Sequence, residues 1–199
     1  TAIGQSALGG AAVTGDDNIA IGYQAAYDLT SGIYNFFAGY RAGYNATTPN
    51  ETVAIGKQAL GNGVLTGNRN IGIGQIAGYD LTSGTANFFG GYNAGGNATT
   101  ANYSIAIGYS PIGVGVMTGA DNTAIGRQAG NDLTSGALNV FVGYRTGYNA
   151  TTGTSNVAIG TNAVGLGVLT GSYNTSVGIQ AGYDLTSGTS NVMMGHNAG

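Results

Sequence analysis

The sequence predicts an all-β protein built as a parallel β-solenoid, in which short coils of the chain stack along one axis. Three observations indicate this fold: a repeat of 52 residues, a finer repeat of 17 or 18 residues, and 39 glycines among 199 residues. Strict periodicity is typical of repeat proteins, in which each unit contacts mainly its neighbours. We expect residues 1–199 to form one such solenoid.

A five-residue motif carries the long repeat. Asp-Leu-Thr-Ser-Gly occurs four times, each copy 52 residues after the last, at 28–32, 80–84, 132–136 and 184–188. The corresponding super-repeats span about 5–56, 57–108 and 109–160, with a partial fourth at 161–199. Because both ends of the sequence fall inside a unit, we expect the chain to be either an excerpt of a longer fibre or a unit that stacks end to end.

A glycine that closes each short apolar run marks the fine repeat. Twelve of these marker glycines, separated in turn by 18, 17 and 17 residues, define about twelve coils: Gly4, Gly22, Gly39, Gly56, Gly74, Gly91, Gly108, Gly126, Gly143, Gly160, Gly178 and Gly195. Positions in a coil are numbered below from its marker glycine. Seventeen residues are too few for a pair of helices and suit one coil of short strands and turns.

Apolar columns predict a narrow core. Ile19 at −3 and Ile21 at −1 represent two apolar columns that share one face of a strand, because side chains alternate with period two. We expect this face to point into the coil, together with the apolar column at −10 (Leu29, Val64) and the alanines common at +3.

Polar columns are equally regular. Asparagine occupies −4 in nine of eleven coils, and stacked amides can hydrogen-bond along the axis as a ladder. Ser or Thr at −8 is followed by glycine at −7 in nine of eleven coils. This pair predicts a tight turn in which the glycine supplies a positive φ.

The column at −2 predicts association between chains. We expect its side chains to point away from the core of their own coil, yet the column is almost wholly apolar, and strands apolar on both faces are usually buried on both. An interface with other copies of the chain is therefore expected, through Phe37, Phe89, Phe141, Met193, Ala20, Ala54, Ala106 and Ala158. A small-residue column without a partner is the alternative.

Composition limits the chemistry that the chain could support. There is no cysteine, and five Lys and Arg stand against eight Asp and Glu, for a net charge of −3. We therefore expect no thiolate metal site, no nucleic-acid partner and no membrane insertion in this segment. His196 is the only histidine. Asp28 and its equivalents recur every three coils, roughly 14 Å apart at ~4.8 Å per coil, too far for a carboxylate pair. We predict no enzyme activity, catalytic residue, metal or cofactor.

Two sets of surface residues are candidates for contact with other molecules. Tyrosines at +1 and +5 predict stripes that either stabilise a turn surface or offer flat platforms to sugars or a partner: Tyr23, Tyr27, Tyr40, Tyr44, Tyr92, Tyr144 and Tyr148. Asn-X-Ser/Thr sequons are candidate sites for covalent glycans: Asn45, Asn50, Asn97, Asn102, Asn149 and Asn174.

Four segments carry a family resemblance: 18–22, 52–56, 122–126 and 156–160, each ending in Ala-Ile-Gly. They resemble the head repeats of YadA-like trimeric autotransporter adhesins, and similar repeats occur in some phage tail fibres. The resemblance implies a left-handed parallel β-roll, three chains side by side, and a role in attachment at a cell or virion surface. The units here are a few residues longer than is usual in that family, which implies enlarged turns.

These observations together predict a non-enzymatic extracellular fibre or adhesin shaft, trimeric. Its expected partners are its own copies, as a homotrimer, an end-to-end filament or both, and host or environmental surfaces or carbohydrates. A glycan-coated structural filament without a specific receptor is the alternative. An ice- or mineral-binding solenoid is a lesser alternative. The hydroxyl column at −8 suits that function, but the column at −9 alternates Thr30, Thr47 and Leu65.

Overall fold

The computed structural model describes all 199 residues, and they form one parallel β-solenoid of about eleven turns. The predicted fold class is confirmed. Regular structure consists of strands alone, and no helix that could span a membrane is present. The twelve strands are β1 (Ala2–Ile3), β2 (Ile19–Ile21), β3 (Phe36–Ala38), β4 (Val53–Ile55), β5 (Ile71–Ile73), β6 (Phe88–Gly90), β7 (Ile105–Ile107), β8 (Thr123–Ile125), β9 (Val140–Val142), β10 (Val157–Ile159), β11 (Thr175–Val177) and β12 (Val192–Met194).

The strands form a single sheet in sequence order, each paired in parallel with the strand of the next coil. Partner residues lie 17 or 18 positions apart, as in the pairs Ala20 with Phe37 and Ala54 with Gly72. The spacing of the marker glycines is therefore the length of a coil. From β2 onward, each strand ends one residue before its marker glycine.

The chain leaves each strand through the marker glycine, whose φ lies between +118° and +135° in all twelve coils. That conformation is essentially restricted to glycine. Three further positions have a positive φ in every coil: +2, such as Gln24 with φ 51°, +4, such as Leu60 with φ 49°, and −5, such as Asp17 with φ 57°. These left-handed bends recur in every coil without a fixed residue type, so no pattern in the sequence predicted them.

The glycines at −7 are required for a different reason from the one predicted. None of the nine has a positive φ, so the turn explanation is wrong. The next coil instead passes very close to them. An added Cβ would lie 1.8 Å from the carbonyl oxygen of Gly84 at Gly67, and 1.9 Å from that of Gly32 at Gly15. At eight of the nine glycines, this close approach leaves no room for a side chain; Gly188, in the last coil, has no following coil beside it, and Pro49 and Ala101 occupy the position in the other two coils.

The strand face that points into the coil is the opposite of the predicted one. Ile19 and Ile21 are each 38% exposed, whereas Ala20 and Phe37 at −2 are fully buried. The alternation of side chains fixes which positions share a face, but not which face lies inside the coil. Seven of the residues predicted for an interface between chains therefore line the core of their own coil, namely Phe37, Phe89, Phe141, Ala20, Ala54, Ala106 and Ala158. Met193, in the last strand, is half-buried at the same position.

The three-coil super-repeat has a packing origin. Where −2 holds a phenylalanine, +4 of the same coil is glycine, and an added Cβ at Gly43 would lie 2.4 Å from the ring of Phe37. Where −2 holds Ala54, the position +4 carries the buried Leu60. The third coil has small residues at both positions, and neighbouring large side chains occupy its space. Large and small residues thus alternate to fill a core of constant width.

The longer coils shift one core position. We predict a buried apolar column at −10, and Leu29 at this position is fully buried. In 18-residue coils, Val64 and Val116 at −10 are more than half exposed, while Leu65 and Met117 at −9 are buried. The additional residue in these coils moves the inward position by one.

The predicted asparagine ladder is present and buried. The backbone N and Nδ2 of Asn35 both donate to Oδ1 of Asn18 at 3.0 Å, and Nδ2 also donates to the carbonyl of Pro49 at 2.7 Å. Asn35 Oδ1 in turn accepts from the backbone N of Thr52 at 2.9 Å. At the interruptions, hydroxyl oxygens of Thr52 and Ser104 accept the corresponding bond from the next coil. Each buried amide is therefore satisfied along the axis.

Replacement of Phe141 by alanine should lower the free energy of unfolding by about 3–5 kcal/mol, because it opens a cavity in the core. The matched control is Leu138→Ala in the same coil, since Leu138 is 56% exposed. We expect the control to lower the free energy of unfolding, measured in denaturant, by less than about 1 kcal/mol. Equal losses in the two variants would contradict the assigned direction of the strand.

Asn139→Asp should destabilise the fold by about 3 kcal/mol or more at pH 7, because Asn139 Nδ2 donates to Asn122 Oδ1 and to the carbonyl of Gly153. A carboxylate would face these acceptors, and burial would raise its pKa above the unfolded value. The loss should therefore diminish as the pH falls toward about 4. Asn139→Ser is the control, since Ser104 serves the same column. A loss of stability in Asn139→Asp that does not change with pH would contradict the ladder geometry.

Candidate functional site

The outer strand face consists of positions −3 and −1 of β2–β12. Thr123 and Thr175 are its only polar residues, and no charged residue belongs to it. Isoleucines at −1 along this face are 38–41% exposed. The strip runs the length of the sheet, on the order of 50 Å at ~4.8 Å per strand. Because the −2 side chains line the core, the outer strand face is the apolar surface of the sheet that is available to another molecule.

The tyrosine edge lies just beyond the marker glycines, in the turn that follows each strand. It consists of the tyrosines at +1 and +5 and the cations Arg41, Lys57, Arg127 and Arg145 at +1 or +2. The marker glycine starts the turn, and the left-handed residue at +2 continues it. Because every coil turns alike, equivalent side chains lie one above another along the axis.

Predicted tyrosine stripes form where tyrosines occupy the same position in consecutive coils. Three pairs are stacked nearly parallel: Tyr23 with Tyr40 at 5.4 Å between ring centroids, Tyr27 with Tyr44 at 5.2 Å, and Tyr92 with Tyr109 at 5.0 Å. Tyr144 and Tyr148 lie on the same edge but contact arginine instead of another tyrosine ring. The stripes are thus interrupted, not continuous.

Arginines complete the stacks. Arg127 Cζ lies 5.7 Å from the ring centroids of both Tyr109 and Tyr144, so the guanidinium is held between two rings. Arg145 lies over Tyr144 and, at 4.7 Å, over Tyr148. Cation–π contacts of this kind contribute about 0.5–1 kcal/mol at exposed sites. They hold the cations in defined positions on the edge.

A second group on the same edge repeats this arrangement. Arg41 lies 5.5 Å from the ring of Tyr40 and 4.9 Å from that of Tyr44, and Lys57 Nζ lies 6.0 Å from Tyr40. Arg41 Nε donates to Gln24 Oε1 at 2.8 Å. The tyrosines were predicted from the sequence, but the cations were not. Their signal was that Lys57 and Arg127 occupy the column that elsewhere holds tyrosine.

The acidic residues remain dispersed. Asp28, Asp80, Asp132 and Asp184 recur every third coil, and Asp80 Oδ1 accepts from Asn62 Nδ2 at 2.6 Å. Burial raises the pKa of the Asp132 carboxyl. No three His, Asp or Glu side chains lie close enough together to hold a metal ion. His196 is exposed in the last turn.

The six sequons differ in accessibility. Asn174 is 1% exposed, and its Nδ2 donates to Asn156 Oδ1 and to the carbonyl of Gly188, so a glycan there would break two buried hydrogen bonds. Asn45, Asn97 and Asn149 are half-buried, and each Nδ2 donates to a carbonyl of the next coil at 2.7–2.8 Å. Asn50 and Asn102 are also half-buried and accept backbone hydrogen bonds through Oδ1.

Glycopeptide mass spectrometry of native material should find Asn174 unmodified, because attachment to its Nδ2 would remove two buried hydrogen bonds. Among the other sequons, Asn50 should be the most readily occupied, since its Nδ2 donates no hydrogen bond within the chain. A glycan on Asn174 at high occupancy would contradict the burial of the ladder.

No family model matches the sequence, and comparison with curated proteins and with solved structures returns no match. The resemblance to YadA-like head repeats therefore stays a prediction.

Proposed function

We propose that the chain is a segment of a non-enzymatic extracellular fibre, in which three copies associate side by side and the rod serves attachment or display at a cell or virion surface. The observation that carries this proposal is the outer strand face, an uncharged apolar strip that continues through every coil. The number three rests on the resemblance to YadA-like head repeats.

The size of the strip supports a stable interface. A large aliphatic side chain offers on the order of 100 Å². The 22 positions of the outer strand face, with exposures that commonly reach two-fifths, therefore amount to on the order of 700 Å². Each partner in a typical stable complex contributes roughly 800 Å². Monomeric soluble proteins rarely leave a contiguous apolar patch of this size uncovered.

Another copy of the same chain is the partner that the strip fits best. Its side chains recur with the spacing of the coils, so only a surface with the same period meets it in register along the whole rod. Copies related by a symmetry axis parallel to the stack place equivalent coils at equal height. Burial of the outer strand face would then satisfy the rule that strands apolar on both faces are covered on both.

Polar residues elsewhere in the coil support a structural role. The asparagines at −4 hold one coil to the next inside the core. Threonines at −9, such as Thr30 and Thr134, donate to carbonyls of the next coil at 3.0 Å. These side chains are therefore used to maintain a rigid rod.

A surface function of the hydroxyl column at −8 is the second candidate. Its eleven Ser and Thr residues are all exposed, which is the observation that favours contact with ice or a mineral lattice. The neighbouring column at −9 offers no second regular row, because Leu65, Met117 and Leu169 interrupt it. Thermal hysteresis in a solution of the purified chain would favour this candidate over the fibre.

Light scattering tests the oligomer directly. We expect residues 1–199 to have three times the monomer mass of 19.7 kDa. Ile55→Glu combined with Ile107→Glu should reduce the assembly to monomers, because carboxylates would be forced together at the interface. The control is Val64→Glu with Val116→Glu, which adds the same charge on another exposed column. A wild-type monomer, or equal dissociation by the control pair, would overturn the proposal. Circular dichroism would check that each variant remains folded.

A further inference from the structure

We propose that the tyrosine edge binds a linear polysaccharide that bears carboxylates, through two matching groups of tyrosine and arginine. The inference rests on the proposed role in attachment and deepens it by naming the class of ligand. Its basis is the uneven placement of charge. The chain is acidic overall, yet four of its five cations lie on this one edge: Arg41, Lys57, Arg127 and Arg145.

These four cations have no carboxylate partner within the chain. The fifth, Arg69, forms the only salt bridge, with Glu51 at 3.0 Å. The acidic residues nearest in sequence to the tyrosine edge are the four aspartates at position +6, and none of them pairs with a cation: Asp28, Asp80, Asp132 and Asp184. Positive charge held at fixed positions without a counter-ion is complementary to an anionic ligand.

The arginines are pre-organised to receive a carboxylate. Arg41 and Arg145 each use Nε to bind a glutamine, Gln24 and Gln128, at 2.8 and 3.1 Å, and each lies over two tyrosine rings. Their terminal NH₂ groups donate no hydrogen bond to the chain. A guanidinium with its terminal donors free can bind a carboxylate with two parallel hydrogen bonds, and its fixed position lowers the entropy lost on binding.

The stacking of the rings favours a polysaccharide over a nucleic acid. Ring centroids 5.0–5.4 Å apart leave no gap for a base to enter, and the cations cover further ring faces. Single-stranded nucleic acid binds mainly through bases stacked on open aromatic faces and through many phosphate contacts. Tyr23, Tyr40 and Tyr92 are 39–44% exposed, and tyrosine hydroxyl groups can hydrogen-bond to sugar hydroxyls.

The two groups suit a long ligand. Tyr40-Arg41 and Tyr44 recur as Tyr144-Arg145 and Tyr148, whereas the super-repeat between them has Asn93 and Gly96 at the corresponding positions. The two groups are six coils apart, about 29 Å at ~4.8 Å per coil. One extended polymer can therefore contact both, and simultaneous binding raises the overall affinity beyond that of either group.

Binding to polygalacturonate, measured by biolayer interferometry on the full chain, tests the proposal. Arg41→Gln and Arg145→Gln are mild changes, because glutamine occupies the same column at Gln24, Gln58, Gln128 and Gln180. We expect each single variant to weaken binding several-fold and the double variant at least tenfold. Arg69→Gln removes one positive charge from outside the edge and should change affinity by less than twofold. Rising salt should weaken binding of the wild type.

Three outcomes would overturn the proposal: no binding of the wild-type chain to polygalacturonate, an equal loss in Arg69→Gln, or tighter binding to single-stranded DNA of matched charge than to polygalacturonate. Neutral dextran controls for contact with sugar alone, and its equal binding would also contradict a carboxylate ligand. Light scattering on the same samples separates this proposal from the fibre. If the wild-type chain is trimeric but does not bind the polysaccharide, only the ligand assignment is contradicted. If the wild-type chain is a monomer, the proposed fibre is contradicted.

Discussion

The whole structure depends on hydrogen bonding between equivalent positions of successive coils, above all in the buried asparagine column. Where asparagines follow one another in consecutive coils, an amide donates to the coil before it and accepts from the coil after it, as Asn139 does between Asn122 and Asn156. A slip of one residue would bury unpaired amide groups in the core, each costing about 1–3 kcal/mol. The ladder therefore fixes the register, and the register makes every other column possible.

Close approach of the coils is the second part of the same constraint. At Gly67 and at the marker glycines, the backbone of the next coil occupies the space that a Cβ would need. The high glycine content thus serves contact between coils as much as bending of the chain. Inside the coil, two arrangements fill the same core width. Phe37 at −2 is paired with Gly43 at +4, whereas Ala54 at −2 is paired with Leu60 at +4. The 52-residue period is the period of this packing.

Rigid stacking gives the surface its character. Since the core and ladder hold each coil in register, side chains outside it repeat as straight rows. On the strands this produces an apolar strip suited to another rod of the same period. On the turns it produces tyrosine rings stacked with one another, and with guanidinium groups such as that of Arg127. The proposed self-association and the proposed ligand are thus consequences of one periodic scaffold acting on two different rows of residues.

Periodicity alone determined the coil length, the parallel pairing and the asparagine ladder, because each needs only that equivalent residues become neighbours. It could not determine whether Ile21 or Phe37 faces inward, since a period of two defines two faces without a direction. The inward face depends on how the coil closes, with Gly43 leaving room for the Phe37 ring from across the core. The tyrosines of the candidate site were predicted as a row, but the cations among them were not. Positions +1 and +2 come together only when neighbouring turns are stacked in three dimensions.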